Sequence, residues 1–313
     1  GNTFDLQGTV LRSLMFFPLE KNLLGRNKQI GLQIGLSQLD FSDFKVHDQW
    51  TLGQFYLDPR LAGSRLYFSE WISIFLDGSS SCAGAIGTKQ GVWCPTTKAG
   101  GVRGFYAQLA LSKPLYSLAS THSFSVYFDI LRNQSRSFHQ NLGEAPPPIG
   151  ETKGLSLASV QFKHPDGQIH SVPRVYESLQ ISTAASYTRS FGWRTKHDLS
   201  ASWGLYHNQY TPPTNFPFDD WIRQQFIKLV IPRSESAMYL SFRYRIRPTT
   251  FRRFYNIQRF GMTEDLALGF SFSLQVSPAL DLNHTSQLFV LLSQSTSYRW
   301  LIRKHILSLE SSA

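Results

Sequence analysis

Apolar side chains recur at every second position of this chain, over runs that are long for a β-strand, and this constrains the fold more than any other feature. Ile30, Leu32, Ile34 and Leu36 interleave with Gly31, Gln33, Gly35 and Ser37. Successive side chains of a strand point to opposite faces, so the segment carries one apolar face and one small or polar face. The pattern recurs at Phe105–Leu111, Phe124–Ile130, Leu199–Leu205 and Met238–Ile246, and it runs longest from Leu266 to Val276.

Run length separates the two kinds of sheet that alternate in this way. Strands of soluble proteins usually hold about 5–6 residues, whereas a tilted strand crossing a bilayer needs about 9–11, and several of these runs reach that length. Their second face is built from Ser, Gln, Gly and Arg, which suits a wet lumen better than a solvent-washed sheet rich in Lys and Glu. Charged residues make up 17% of the 313-residue chain and aromatics 14%, with 24 Phe and 13 Tyr. Soluble domains average about 25% charged residues, so the balance argues against disorder and against a charged helical bundle. Mean hydropathy is -0.21, and the absence of a run of about 18 apolar residues excludes a helical membrane protein.

The punctuation agrees. Asp58–Ser64 (DPRLAGS) and Ser112–Ser120 (SKPLYSLAS) look like short turns, while the Cys82/Cys94 region, residues 133–175 with Pro146-Pro147-Pro148, and residues 209–222 with Pro212-Pro213 look like long loops. Short joins alternating with long ones are what a barrel with tight turns at one end gives. Within 133–175 the Asp166-Gly167 pair predicts a projecting hairpin. The expectation is an all-β fold, an antiparallel transmembrane β-barrel of about 10–16 strands with long outer loops, of which about ten to twelve can be placed. Residues 26–313 form the barrel and residues 1–25 a lead-in outside it. The start at Gly1 reads as a mature terminus from which any export signal has been removed.

These segments resemble the barrel domain of the Omp85 superfamily, the BamA-type outer-membrane assembly and translocation proteins. Leu19–Phe41 is similar to the family's entry from a periplasmic module into its first strand. Tyr56–Ser69 resembles a strand, an Asp-Pro-Arg turn and the next strand, while Leu109–Val126 and Phe260–Leu274 resemble later hairpin and strand starts. The resemblance implies a bacterial-type outer-membrane location, a strand junction near Ile30, Leu32, Ile34 and Leu36 that pairs with incoming strands, and a periplasmic module of which residues 1–25 are the tail. It also implies three kinds of partner: the lipid bilayer, client outer-membrane proteins, and periplasmic or lipoprotein accessory subunits. Val102-Arg103-Gly104-Phe105 matches the family's Val-Arg-Gly-Phe/Tyr motif, whose arginine reaches lumen carboxylates. There the motif lies late in the barrel and here in the first third, so a chance match and a lumen-plugging loop both stay open. A family barrel of about sixteen strands needs more residues than remain here once loops are counted, so the chain is either a piece of a longer protein or a smaller barrel.

Chemistry is sparse. No G-x-S-x-G elbow, His-x-x-Glu-His pair or phosphate-cradling Gly-Lys-Ser/Thr loop occurs, so no enzyme, cofactor or metal is expected. His164 and His170 flank the Asp-Gly turn and face each other either as plain surface residues or as metal ligands, and Glu264-Asp265 reads as a carboxylate pair or a solvated rim. Cys82 and Cys94 form a disulfide only in an oxidising compartment, the alternative being two free thiols. The net charge of +10 is accounted for by lumen and rim arginines rather than by nucleic acid. Arg243, Arg245 and Arg247 share one strand face, with Arg252, Arg253 and Arg259 following. They form either a structural charge network, pairing with carboxylates such as Asp129, or the basic lining of a porin-like or export channel for anionic solutes. Trp50, Trp71, Trp193, Trp221 and Trp300 are placed near strand ends, as an interfacial girdle requires.

Overall fold

The computed structural model describes residues 10–23, 25–40, 45–78, 86–88, 91–93, 101–136, 138–139, 156–157, 159–214, 216–255, 263–283, 287–302 and 305–313. The fold is all-β, with one short α-helix among the described residues. Thirteen strands form a single antiparallel sheet: β1 (Val10–Phe16), β2 (Leu19–Leu23), β3 (Lys28–Asp40), β4 (Lys45–Asp58), β5 (Tyr67–Asp77), β6 (Val102–Lys113), β7 (His122–Arg136), β8 (Val175–Phe191), β9 (Thr195–Thr211), β10 (Glu235–Pro248), β11 (Gly269–Asp281), β12 (Leu288–Ile302) and β13 (His305–Ser312). From β3 onward each strand pairs with the next in chain order. β1 and β2 share one flank of β3 and are separated at Phe17-Pro18, where proline removes a donor. Leu32 keeps the ladder intact by donating its amide to the Pro18 carbonyl at 3.1 Å. Part of the expected lead-in thus belongs to the sheet.

The two faces of this sheet reverse the usual order of burial. Leu32 is 57% exposed, Phe242 55% and Leu109 42%, whereas Gln33, Ser73, Asp198, Asn208, Ser241 and Ser277 are buried. Cross-strand register keeps each set on its own side: Leu32 opposes Gln54, Ile34 opposes Leu52 and Leu52 opposes Ile74, while Gln33 opposes Gly53 and Gly53 opposes Ser73. A water-soluble sheet would bury the first set and expose the second. The long strands β8 and β9 hold 17 residues each, which at about 3.3 Å per residue is more than a strand tilted about 40° needs to cross a hydrocarbon layer.

Joins at one end of the sheet are short, at 59–66, 114–121 and 192–194, while the other end carries the long ones, at 78–101, 137–174 and 212–234, together with two short ones, at 41–44 and 282–287. One short-end join departs from this rule. The expected strand Leu266–Val276 is broken at Gly269, whose φ of +119° suits glycine. Before it, Phe251–Tyr255 and Thr263–Ala267 pair as a separate hairpin. Beyond the long-join end stands a small cap. Its hairpin, Ser159–Lys163 with Ile169–Pro173, turns through Gly167 at φ +89°, and a helix, α1 (Asp220–Leu229), packs against it. Phe162, Val172, Ile222, Phe226, Val230 and Ile231 form the apolar core of this cap. Among the described residues the one other buried hydrophobic side chain is Val175, at the start of β8.

Candidate functional site

The sheltered polar face is ordered in rows set by strand register. One row is made of serines: Ser112 opposes Ser125, Ser125 opposes Ser186, Ser186 opposes Ser202 and Ser202 opposes Ser241. Ser125 and Ser186 share a hydrogen bond of 2.7 Å, and Ser277 extends the row by donating to Ser241 at 2.8 Å. The adjoining row alternates small and large residues, with Ala184 against Gly204 and Gly204 against Tyr239. A Cβ on Gly204 would come within 2.2 Å of the Tyr239 ring, so glycine is required for the ring to lie flat across β9. Nearer β3, Phe17, Phe55 and Trp71 pack together, and the Trp71 indole donates to Gln33 and Ser73 at 3.0 Å each. Trp71 therefore serves the polar face, and Trp221 belongs to α1 of the cap. Neither stands in the girdle expected for it.

Toward the short-join end the rows become basic. Arg243, Arg245 and Arg247 occupy alternate positions of β10, opposite Ser200, Asp198 and Lys196 of β9. On the other flank lie Gln275 and Ser273 of β11, followed by Ser293, Ser295 and Ser297 of β12. The three guanidinium groups line an open groove of about 720 Å³ with these Ser and Gln side chains. Their bonds differ. Arg247 Nε donates to Asp198 Oδ2 at 2.8 Å, Arg245 Nε stands 3.9 Å from the same oxygen, and Arg243 Nε donates to Gln275 Oε1 at 2.7 Å. The carboxylate of the ladder is thus Asp198 and not Asp129, which takes a hydrogen bond from Ser182 three strands away.

The Val102–Phe105 segment opens β6 within the sheet. Phe75 opposes Gly104 and Leu76 opposes Val102, leaving Arg103 as the extra residue of a β-bulge. Arg103 Nε donates to the Gln134 carbonyl at 2.8 Å, and a Cβ on Gly104 would lie 2.0 Å from the Arg132 carbonyl oxygen, so the glycine permits β6 to approach β7. Close by, Arg136 pairs with Asp77 at 2.7 Å, both side chains being almost wholly buried. The motif here is part of a strand start. Ile30, Leu32, Ile34 and Leu36 lie one strand in from the edge, because β3 is paired on both flanks. The edge falls instead to β1 and β2. At the far side β13 covers β12 from Ser295 to Ile302, which leaves Leu288–Ser293 paired only to β11 among the described residues. No pairing joins β1 or β2 to β12 or β13 among the described residues.

His164 and His170 do meet, with ring centroids 6.0 Å apart. His164 is already engaged, by Asp166 at 2.9 Å and by Asp219 of the helix cap at 3.1 Å, and no metal-type cluster occurs among the described residues. The Gln168 backbone amide, donating to the Asp166 carboxyl, and His164 beside it hold that carboxyl below the usual range. Asp265 stands 3.5 Å from Arg253 across the hairpin before β11, an exposed pairing. Cys82, Cys94 and Arg259 lie outside the described residues. No protein-family model matches the chain, and no curated protein matches it.

Proposed function

We propose that this chain is the wall of an outer-membrane β-barrel similar to the Omp85 superfamily, acting in the insertion, assembly or translocation of proteins at that membrane without catalysis or cofactor. The observation that carries the membrane part is the reversal of burial: from β3 to β10 large apolar side chains stand exposed on one side of the sheet while Gln33, Ser73, Asp198, Ser241 and other polar groups are sheltered on the other. In water such a continuous apolar patch is unfavourable, because apolar area is driven out of contact with solvent. In hydrocarbon it is favourable, provided that every backbone group is paired within the sheet. Bromine-labelled acyl chains should quench Trp203, on the apolar face, and spare Trp71 on the polar face, each read in a variant retaining that tryptophan alone. Equal quenching would overturn the membrane assignment.

The assembly part draws on the two edges. β1 and β2 on one side, and the Leu288–Ser293 stretch of β12 on the other, offer unpaired backbone donors and acceptors among the described residues. A client strand can be held at such an edge by β-augmentation, in which main-chain bonds supply affinity for varied sequences. A photo-crosslinker at Leu14 of β1 should capture an unfolded barrel client, and one at Leu52 in interior β4 should not. Equal capture at both positions, or none at Leu14, would count against the role.

A further inference from the structure

The groove beside the arginine ladder holds more positive charge than its own carboxylates neutralise. Arg243, Arg245, Arg247 and Arg299 line the groove, and the side-chain acids paired with them are Asp198 and Glu310, so four cations less two anions leaves two. Arg299 is 3.3 Å from Glu310 and Arg247 is bonded to Asp198. Arg243 is held by a neutral amide, and Arg245 lies beyond hydrogen-bond reach of its nearest carboxylate. Like charges held this close repel one another and draw counter-charge to them, and the groove has the volume for a small ligand.

We propose that this groove is a binding site for an anion carrying two or more phosphate groups. Guanidinium forks match phosphate oxygens in pairs. Ser273, Ser293, Ser295 and Ser297 face them across the groove with hydroxyl donors that suit a group rich in acceptor oxygens. Arg243 and Arg245 are two residues apart on one strand, a repeat of about 6.6 Å, so two linked anionic groups meet both arginines at once where a single one does not. The proposal rests on the polar face alone and goes beyond the assembly role.

The test is isothermal titration of the purified protein in neutral-detergent micelles with sodium tripolyphosphate, with inorganic phosphate, and with micelles doped with cardiolipin, whose headgroup carries two phosphates. Tripolyphosphate should bind saturably and at least about tenfold more tightly than inorganic phosphate. Displacement of tripolyphosphate by cardiolipin would assign the linked phosphates to a lipid, and lack of displacement to a soluble anion. The R243Q/R245Q variant should weaken binding by about tenfold or more, while R252Q/R253Q, altering exposed charges of the neighbouring hairpin, should leave it unchanged. E310Q should tighten binding by about twofold, through release of Arg299, a gain that misfolding cannot produce. Equal weakening in the two arginine variants, no gain in E310Q, or no binding by the folded wild-type protein would overturn the proposal. Client capture at Leu14 is read independently of all three.

Discussion

The wall and the cap of this molecule obey opposite rules of burial within one chain. In the cap, Phe226 and Val172 are fully buried and the polar groups lie around them, as in any small domain that folds in water. In the wall, Leu32 and Phe242 look outward while Ser241, Ser277 and Asp198 are enclosed. The same side-chain types therefore have opposite energetic weights a few residues apart. The proposed membrane location accounts for this difference, since it sets the wall in hydrocarbon and the cap in water. The comparison also explains why α1 occurs where it does: an amphipathic helix needs an apolar surface to cover, and that surface is provided by the hairpin, whose Phe162 packs against Phe226.

The sharpest way to break this contrast is to exchange the two environments residue by residue. Phe226→Ala should destabilise the cap by about 3–5 kcal/mol, as for other fully buried phenylalanines, and should raise amide exchange in the hairpin while β3 to β11 stay protected. Phe242→Ala, the same change on the wall, should move stability far less, because no packed core surrounds that ring. Phe242→Arg should cost about 2–4 kcal/mol, provided the site lies near the mid-plane of a bilayer, measured by reversible urea unfolding in lipid vesicles. If Phe242→Ala costs as much as Phe226→Ala, the wall has a conventional core and the contrast fails.

How much of this was legible in the sequence depends on whether a feature is local. Alternation revealed β3, β6, β7, β9 and β10, because a period of two appears within a single strand. β8 escaped it, since Thr183 and Ala185 dilute the apolar face, and β12 begins with the unbroken run Leu288–Leu292. The helix did carry a local sign: Asp219 accepts from the Ile222 amide at 2.8 Å, and Ile222 and Phe226 lie one turn apart, but the preceding Pro212-Pro213 made the stretch look like loop. Register was out of reach. That Asp198 faces Arg245 and Arg247, that six serines align, and that β1 rather than β3 forms the edge all follow from pairings between segments far apart in the chain. The arginine triplet was legible as a face; its groove was not.

Smaller changes probe how tightly each region is fitted. Gly204→Ala should cost about 1–3 kcal/mol by driving a methyl group into the Tyr239 ring, and Tyr239→Ala should relieve most of that loss in the double variant, as a double-mutant cycle in vesicles would read. In the cap, Asp219→Ala removes both the bond to the Ile222 amide and the contact with His164. It should cost about 0.5–2 kcal/mol, seen as fraying of the first turn of α1 by amide exchange, with the wall unmoved.

The finest test concerns the turn at the tip of the cap hairpin. Asp166 accepts from the Gln168 amide at 2.9 Å, and with His164 and His170 nearby its carboxyl titrates below the ordinary value. A carboxyl held lower in the folded state contributes stability that is fully present above its unfolded pKa, about 3.9, and is lost as pH falls through the lower folded value. The Gln168 amide resonance should therefore stay constant from about pH 7 to pH 5 as far as Asp166 governs it, and shift only in the acid range below about pH 4. Asp166→Asn keeps an acceptor for the amide while removing the titration, so the acid shift should vanish with the turn intact. An acid shift that persists in Asp166→Asn would transfer the effect to another group. Resonances of the wall should not follow the step in either protein, because the cap's charged tip and the sheet's polar face belong to separate surroundings.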